Sequence, residues 1–123
     1  MAIGVDIDPK AEDIARENAA YNGFSAPEFT ALTGNVTEDT EKLMSLHSGH
    51  YDLVFINIVA DVIVSLAPFV PQFLGDKSTL ICSGILDNRL GDVITALEQA
   101  GLTVTEIHAQ EDWRCVCAKR SML

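Results

Sequence analysis

Ala2-Ile3-Gly4-Val5-Asp6-Ile7-Asp8-Pro9 decides how this chain reads. Ala2 to Asp6 is a short apolar run with β-branched members, the pattern of a buried strand. Asp8-Pro9 then opens a helix, with Asp8 as the N-cap and Pro9 at the first helical position. Ala11, Ile14, Ala15, Asn18 and Ala19 follow at helical spacing, and Asn22-Gly23 supplies the stop. A strand running directly into a helix is the first step of an α/β fold.

The rest of the chain repeats that step. Glu28 to Leu32 is a second strand, ended by Gly34-Asn35, and Thr37 to His47 has weak helical character. Tyr51 to Ile56 is the clearest strand. Val59 to Phe73 reads as an apolar helix with Pro68 as a kink or break. Ser78 to Cys82 is another buried strand, closed by Ser83-Gly84. Asp87 to Ala100 is amphipathic, with Leu90, Val93, Ile94 and Leu97 on one face and Gly101 at its end. Leu102 to His108 and Trp113 to Ala118 are the last strands, joined by Ala109-Gln110-Glu111-Asp112. That connection is too short for a parallel crossover, so one of the two runs antiparallel. The expected fold is an open, mostly parallel α/β sheet with helices on both faces and an antiparallel strand near one edge.

Composition bounds the partners. The 123 residues suffice for one domain, and 48% hydrophobic residues exclude intrinsic disorder. Eight basic against 18 acidic residues give a net charge of −10. Such a surface repels phosphate backbones and anionic lipids, so neither nucleic acid nor a membrane is expected as a direct partner. Leu53 to Leu74 spans 22 residues with one charge, Asp61, long enough to cross a bilayer. Asn57, Ser65, Pro68, Pro71 and Gln72 also interrupt it, however, and a mid-membrane Asp costs about 2.5–3.5 kcal/mol. A buried strand feeding a buried helix explains the run better. Cys82, Cys115 and Cys117 do not make a disulfide framework, and no signal peptide opens the chain, so a reducing, cytoplasmic setting is expected.

Open α/β sheets bind ligands at the carboxyl ends of their strands. Asp6 ends the first strand, where a carboxylate can accept hydrogen bonds from both hydroxyls of a ribose. Helix capping is the structural alternative, but Asp8 already fills that role. Asn57 ends the strongest strand; its amide can hold an amine, or it can cap the helix that follows. Gly34-Asn35 can face a purine edge, although composition favours a simple turn. His47-x-x-His50 and Cys115-x-Cys117 are the metal-like spacings. A structural zinc site needs four ligands, usually in closer pairs, and period-two cysteines on an apolar strand read as packed free thiols, so no metal is expected.

Taken together, the Gly4-Val5-Asp6 stretch, Asn57-Ile58-Val59-Ala60, Ser83-Gly84-Ile85-Leu86, the Asn18 to Gly23 helix end and Glu111-Asp112-Trp113 resemble class I S-adenosylmethionine-dependent methyltransferases. More narrowly, they are similar to the methyltransferase family of ribosomal protein L-eleven (PrmA type), over nearly all of the chain. The resemblance implies a Rossmann-like three-layer sandwich whose last strand is antiparallel. It implies S-adenosyl-L-methionine as cofactor, with Gly4, Asp6, Ile7, Gly34, Asn35 and Asn57 as cofactor-binding residues. The resemblance also implies that Asn57 lies beside the incoming amine, as the catalytic position.

The implied substrate is a lysine or α-amino group of a basic ribosomal protein. The family's first strand, its glycine-rich loop and its substrate-recognition domain have no counterpart in residues 1–123. The expectation is therefore a partial, truncated methyltransferase domain that binds cofactor weakly or not at all and self-associates through exposed sheet edges. Two alternatives remain: a non-catalytic α/β interaction module derived from such an enzyme, and a methyltransferase for another amine.

Overall fold

The computed structural model describes residues 2–35, 38–39 and 50–121. They fall into two compact units, residues 1–46 and 47–123. The first is a β–α–β unit. Strand β1 (Ala2–Asp6) pairs in parallel with β2 (Phe29–Thr33), from Ala2 opposite Phe29 to Asp6 opposite Thr33. Helix α1 (Pro9–Tyr21) connects them. It starts where the sequence dictates, since the Asp8 carboxylate accepts the Lys10 backbone N–H at 2.9 Å and Pro9 has no N–H to satisfy. It stops at Asn22, and Gly23 takes φ +82°, a left-handed conformation that costs glycine little. Strand β1 is half-buried rather than buried, and α1 has no buried residue. The weak helix read at Thr37 to His47 lies outside the described residues, apart from positions 38 and 39.

The second unit is a four-stranded sheet in the order β3-β4-β6-β5. Its strands are β3 (Tyr51–Asn57), β4 (Leu74–Leu86), β5 (Leu102–Gln110) and β6 (Trp113–Arg120). β3 and β4 are parallel, while β6 is antiparallel to both β4 and β5. The antiparallel strand is thus the last one, inserted between its neighbours rather than placed at the rim. Helix α2 (Ala60–Leu66) tightens into a 3-10 segment over Ala67–Phe73, because Pro68 and Pro71 cannot donate to an α-helical ladder. A 3-10 turn at Asp87–Arg89 leads into α3 (Leu90–Gln99), which ends before Gly101 at φ +88°.

The core lies between α2, α3 and one face of this sheet. Ile63, Leu74, Leu80, Cys82, Ile85, Val93, Leu97, Leu102 and Val116 are its largest fully buried side chains. Burial pushes the Cys82 thiol up to about 12, with Cys115 and Cys117 adding to the shift.

Two expectations need correction. Strand β3 is not buried on both faces: Val54 and Ile56 pack on the core, whereas Leu53 and Phe55 are 54% and 59% exposed. Side chains alternate across a strand, and α2 and α3 cover only one side. Strand β4 is also longer than Ser78 to Cys82. Its ladder with β6 carries it through Ser83-Gly84 to Leu86, with a register shift between Cys82 and Ile85. Among the described residues, β1 pairs with β2 alone and β3 with β4 alone, and no helix is long and apolar enough to cross a membrane.

Candidate functional site

Two strand-end clusters carry the residues picked from the sequence. In the first unit, Asp6 and Gly34 meet at the carboxyl ends of β1 and β2: the Gly34 N–H donates to the Asp6 carbonyl oxygen at 2.9 Å. The Asp6 carboxylate is exposed, and its Oδ1 accepts the Asp8 N–H at 2.9 Å. Asp6 therefore has a structural task that the sequence reading did not foresee. That bond engages Oδ1, and Oδ2 of the exposed carboxylate remains available as an acceptor. Asn35 begins the turn after β2, and its carbonyl oxygen accepts the Glu38 and Asp39 N–H groups. Ile7 is exposed directly after Asp6.

Gly4 does not reach this rim. It lies in mid-strand, where an added Cβ would meet only the Phe29 ring at 3.8 Å, so its lack of a side chain is not demanded by space. An apolar hollow of about 190 Å³, lined by Phe24, Ala26, Phe29 and Ala31 among others, lies toward the opposite, amino-terminal end of β2. Ligands in open α/β sheets gather at the other end.

In the second unit, Asn57 and Ser83 are register partners at the end of the β3–β4 ladder. Asn57 is exposed and does not cap the next helix, because the N-cap of α2 is Val59, with no side-chain bond. The capping alternative is therefore not what the structure adopts. Gly84 sits against the Asn57 side chain at φ +79°: a Cβ built on it would lie 2.9 Å from Asn57 Oδ1 and 3.3 Å from the Ile58 carbonyl oxygen. Only glycine combines that backbone angle with that clearance. Asn57-Ile58 and Ser83-Gly84, remote in sequence, thus form one cradle.

In the same unit, Arg89 Nη2 contacts Asp61 Oδ1 at 2.6 Å and Arg89 Nε contacts Asp92 Oδ2 at 3.0 Å. The two carboxylates hold the guanidinium charged and tie the start of α2 to the start of α3. Sequence reasoning missed Gly84 as a site residue and Arg89 as a brace. Gly84 had a signal, a glycine in mid-strand, which marks a bulge or a close approach. Arg89 had none, because its partner is 28 positions away.

A family model described as ribosomal protein L11 methyltransferase (PrmA) matches residues 1–121. This chain belongs to that family. It is 35% identical over 117 residues to the ribosomal protein L11 methyltransferase of Fusobacterium nucleatum, covering 95% of this chain and 36% of that protein. The chain therefore spans about a third of the length of the curated relatives it matches.

Among solved structures, the ribosomal protein L11 methylase of Lactobacillus delbrueckii subsp. bulgaricus superposes with a TM-score of 0.83 at 23% identity, over 98% of this chain and 58% of that one. Aeropyrum pernix fibrillarin, solved with natively bound S-adenosyl-L-methionine, superposes at 0.70 with 14% identity, over 94% of this chain and 54% of that one. These likenesses establish the Rossmann-like methyltransferase fold for this PrmA-family chain, with β6 as its antiparallel strand.

Proposed function

We propose that the chain forms the part of a PrmA-type catalytic domain that holds the ribose and methionine ends of S-adenosyl-L-methionine, in a cytoplasmic protein N-methyltransferase acting on lysine or α-amino groups of a basic ribosomal protein. The observation that carries the reading is Asp6: an exposed carboxylate at a strand's carboxyl end, oriented through one oxygen and open at the other. Such a group suits a vicinal diol. Family membership supports the cofactor and the substrate class.

When bound, the cofactor supplies an electrophilic methyl group on a sulfonium sulfur. Asp6 accepts hydrogen bonds from the ribose, while Gly34 and Asn35 border the adenine side. Asn57, kept in place by the Gly84 cradle, orients the incoming amine through its amide. Catalysis of this type rests on positioning more than on proton transfer, so an amine arriving unprotonated needs no general base from this chain. The net charge of −10 suits a cationic protein substrate. The edges of β1 and β3, each paired on one side among the described residues, are where a second copy would add.

The test is a titration of S-adenosylhomocysteine followed by amide chemical shifts, which detect even millimolar affinity. The reading predicts saturable shifts at Asp6, Ile7, Gly34, Asn57 and Gly84, abolished by Asp6→Ala. Shifts confined to the hollow around Phe24 and Phe29, or unchanged by Asp6→Ala, would contradict it.

A further inference from the structure

The β5–β6 hairpin turns in two residues, Glu111 and Asp112, with Gln110 opposite Trp113. That turn sets the register as far as Glu106, and the register shifts only beyond it, between Glu106 and Val104. His108 falls opposite Cys115, and Glu106 falls opposite Cys117. Directly opposed residues share a face of the sheet, as do residues two apart on one strand. His108, Cys115, Glu106 and Cys117 therefore occupy one square of a single sheet face. One donor atom each from Glu106, His108 and Cys117 lies within 4.8 Å of the others, and Glu106 Oε1 is 3.7 Å from His108 Nε2. Cys117 is buried, Cys115 is half-buried, and Glu106 and His108 are 63% and 62% exposed.

We propose that this square is a binding site for a thiophilic divalent cation, zinc above all, with Cys115, Cys117, His108 and Glu106 as its four ligands. Two thiolates, an imidazole and a carboxylate are the donor types that zinc takes in tetrahedral sites. Zinc–ligand bonds of roughly 2.0–2.3 Å place neighbouring donors about 3.3–3.8 Å apart in a tetrahedron. The Glu106–His108 separation already falls in that range, and Glu106, His108 and Cys117 need close by about 1 Å at most among themselves, while Cys115 joins from its register position opposite His108.

Binding forms two Zn–S bonds, one Zn–N bond and one Zn–O bond, and the two thiol protons pass to solvent. The spacing Cys-x-Cys reads as packed thiols only while the partner strand is ignored; the hairpin register supplies the other two ligands. The cation would clamp the last two strands together across their ladder. This proposal does not depend on the cofactor reading.

The test is a titration of the reduced 123-residue chain with Co²⁺, read through the intense visible d–d absorption of tetrahedral, thiolate-bound cobalt, followed by displacement with Zn²⁺. The proposal predicts one equivalent bound, bleached by zinc. His108→Ala and Cys117→Ser should each weaken cobalt binding at least tenfold, while Cys82→Ala, a core thiol on the opposite face, leaves it unchanged. His108 is a surface residue, so its variant stays folded and keeps the test decisive, with circular dichroism as the check. Absence of the tetrahedral band in the folded, reduced chain would overturn the proposal, as would a band of undiminished affinity in His108→Ala.

Discussion

Residues 1–46 and residues 47–123 are built on different terms. Among the described residues of the first unit only Ala31, at 5% exposure, is a buried hydrophobic, and the helix between its two strands buries nothing completely. The second unit encloses a continuous cluster from Ala60 on α2 to Ala118 on β6. Yet Asp6, the residue proposed to hold the ribose, belongs to the first. The unit with the thin core carries the proposed ribose-binding carboxylate, and the unit with the dense core carries the Asn57–Gly84 cradle. Burial predicts that stability is concentrated in the second unit and local opening in the first, the arrangement expected if the proposed ligand contacts come from the less stable end of the molecule.

The largest effect expected is in the dense core. Leu97→Ala or Leu80→Ala removes a fully buried side chain and should cost about 2–5 kcal/mol in urea denaturation. The matching change in the first unit, Ile14→Ala on a residue 56% exposed, should stay within about 0.5 kcal/mol. Equal losses at the two positions would break the contrast.

Gly84→Ala comes next. It must hold φ +79° with a Cβ 2.9 Å from Asn57 Oδ1, so we expect a loss of about 1–2 kcal/mol from the backbone angle alone and a displaced Asn57 amide. The amide resonance of Asn57 should move while those of β1 stay. Asp8→Ala removes the α1 cap and should cost about 1 kcal/mol, visible as lost hydrogen-exchange protection in α1 with none lost in β4 or α3. Glu111 holds φ 55° at the hairpin turn, a conformation that costs a non-glycine residue about 1–2 kcal/mol. Glu111→Gly should raise the midpoint of denaturation by somewhat less than that, since glycine also loosens the unfolded chain.

Much of this was legible in the sequence where local chemistry decides the structure. Asp8-Pro9 and Asn22-Gly23 bracket α1 because caps are satisfied within a few residues. Strand β1 has the boundaries read from it, Ala2–Asp6, and the antiparallel end of the sheet follows from a short connection. The misreadings came from partners distant along the chain. Ser83-Gly84 looks like a stop, but β6 pairs across it and the strand continues. Leu53 and Phe55 look buried, but burial depends on what covers a face, and α2 and α3 cover the other one.

The same divide runs through the candidate site. Asp6, Gly34 and Asn57 were picked out by position at strand ends, whereas the Gly84 cradle, the Asp6–Asp8 bond and the Arg89 brace needed coordinates. Gly4, chosen with Asp6 from the same stretch, stands in mid-strand and away from the rim.

Native-state hydrogen exchange with and without S-adenosylhomocysteine tests the central claim most directly, because it reads stability and ligand contact at the same amides. Without ligand, the amides of β4, β6 and α3 should exchange only through global unfolding, and those of β1, α1 and β2 through a cheaper local opening. With ligand, protection should rise mainly in the first unit, led by the Asp8 and Gly34 N–H groups that bond to Asp6. Uniform protection across both units, unchanged by ligand at Asp8 and Gly34, would contradict the account.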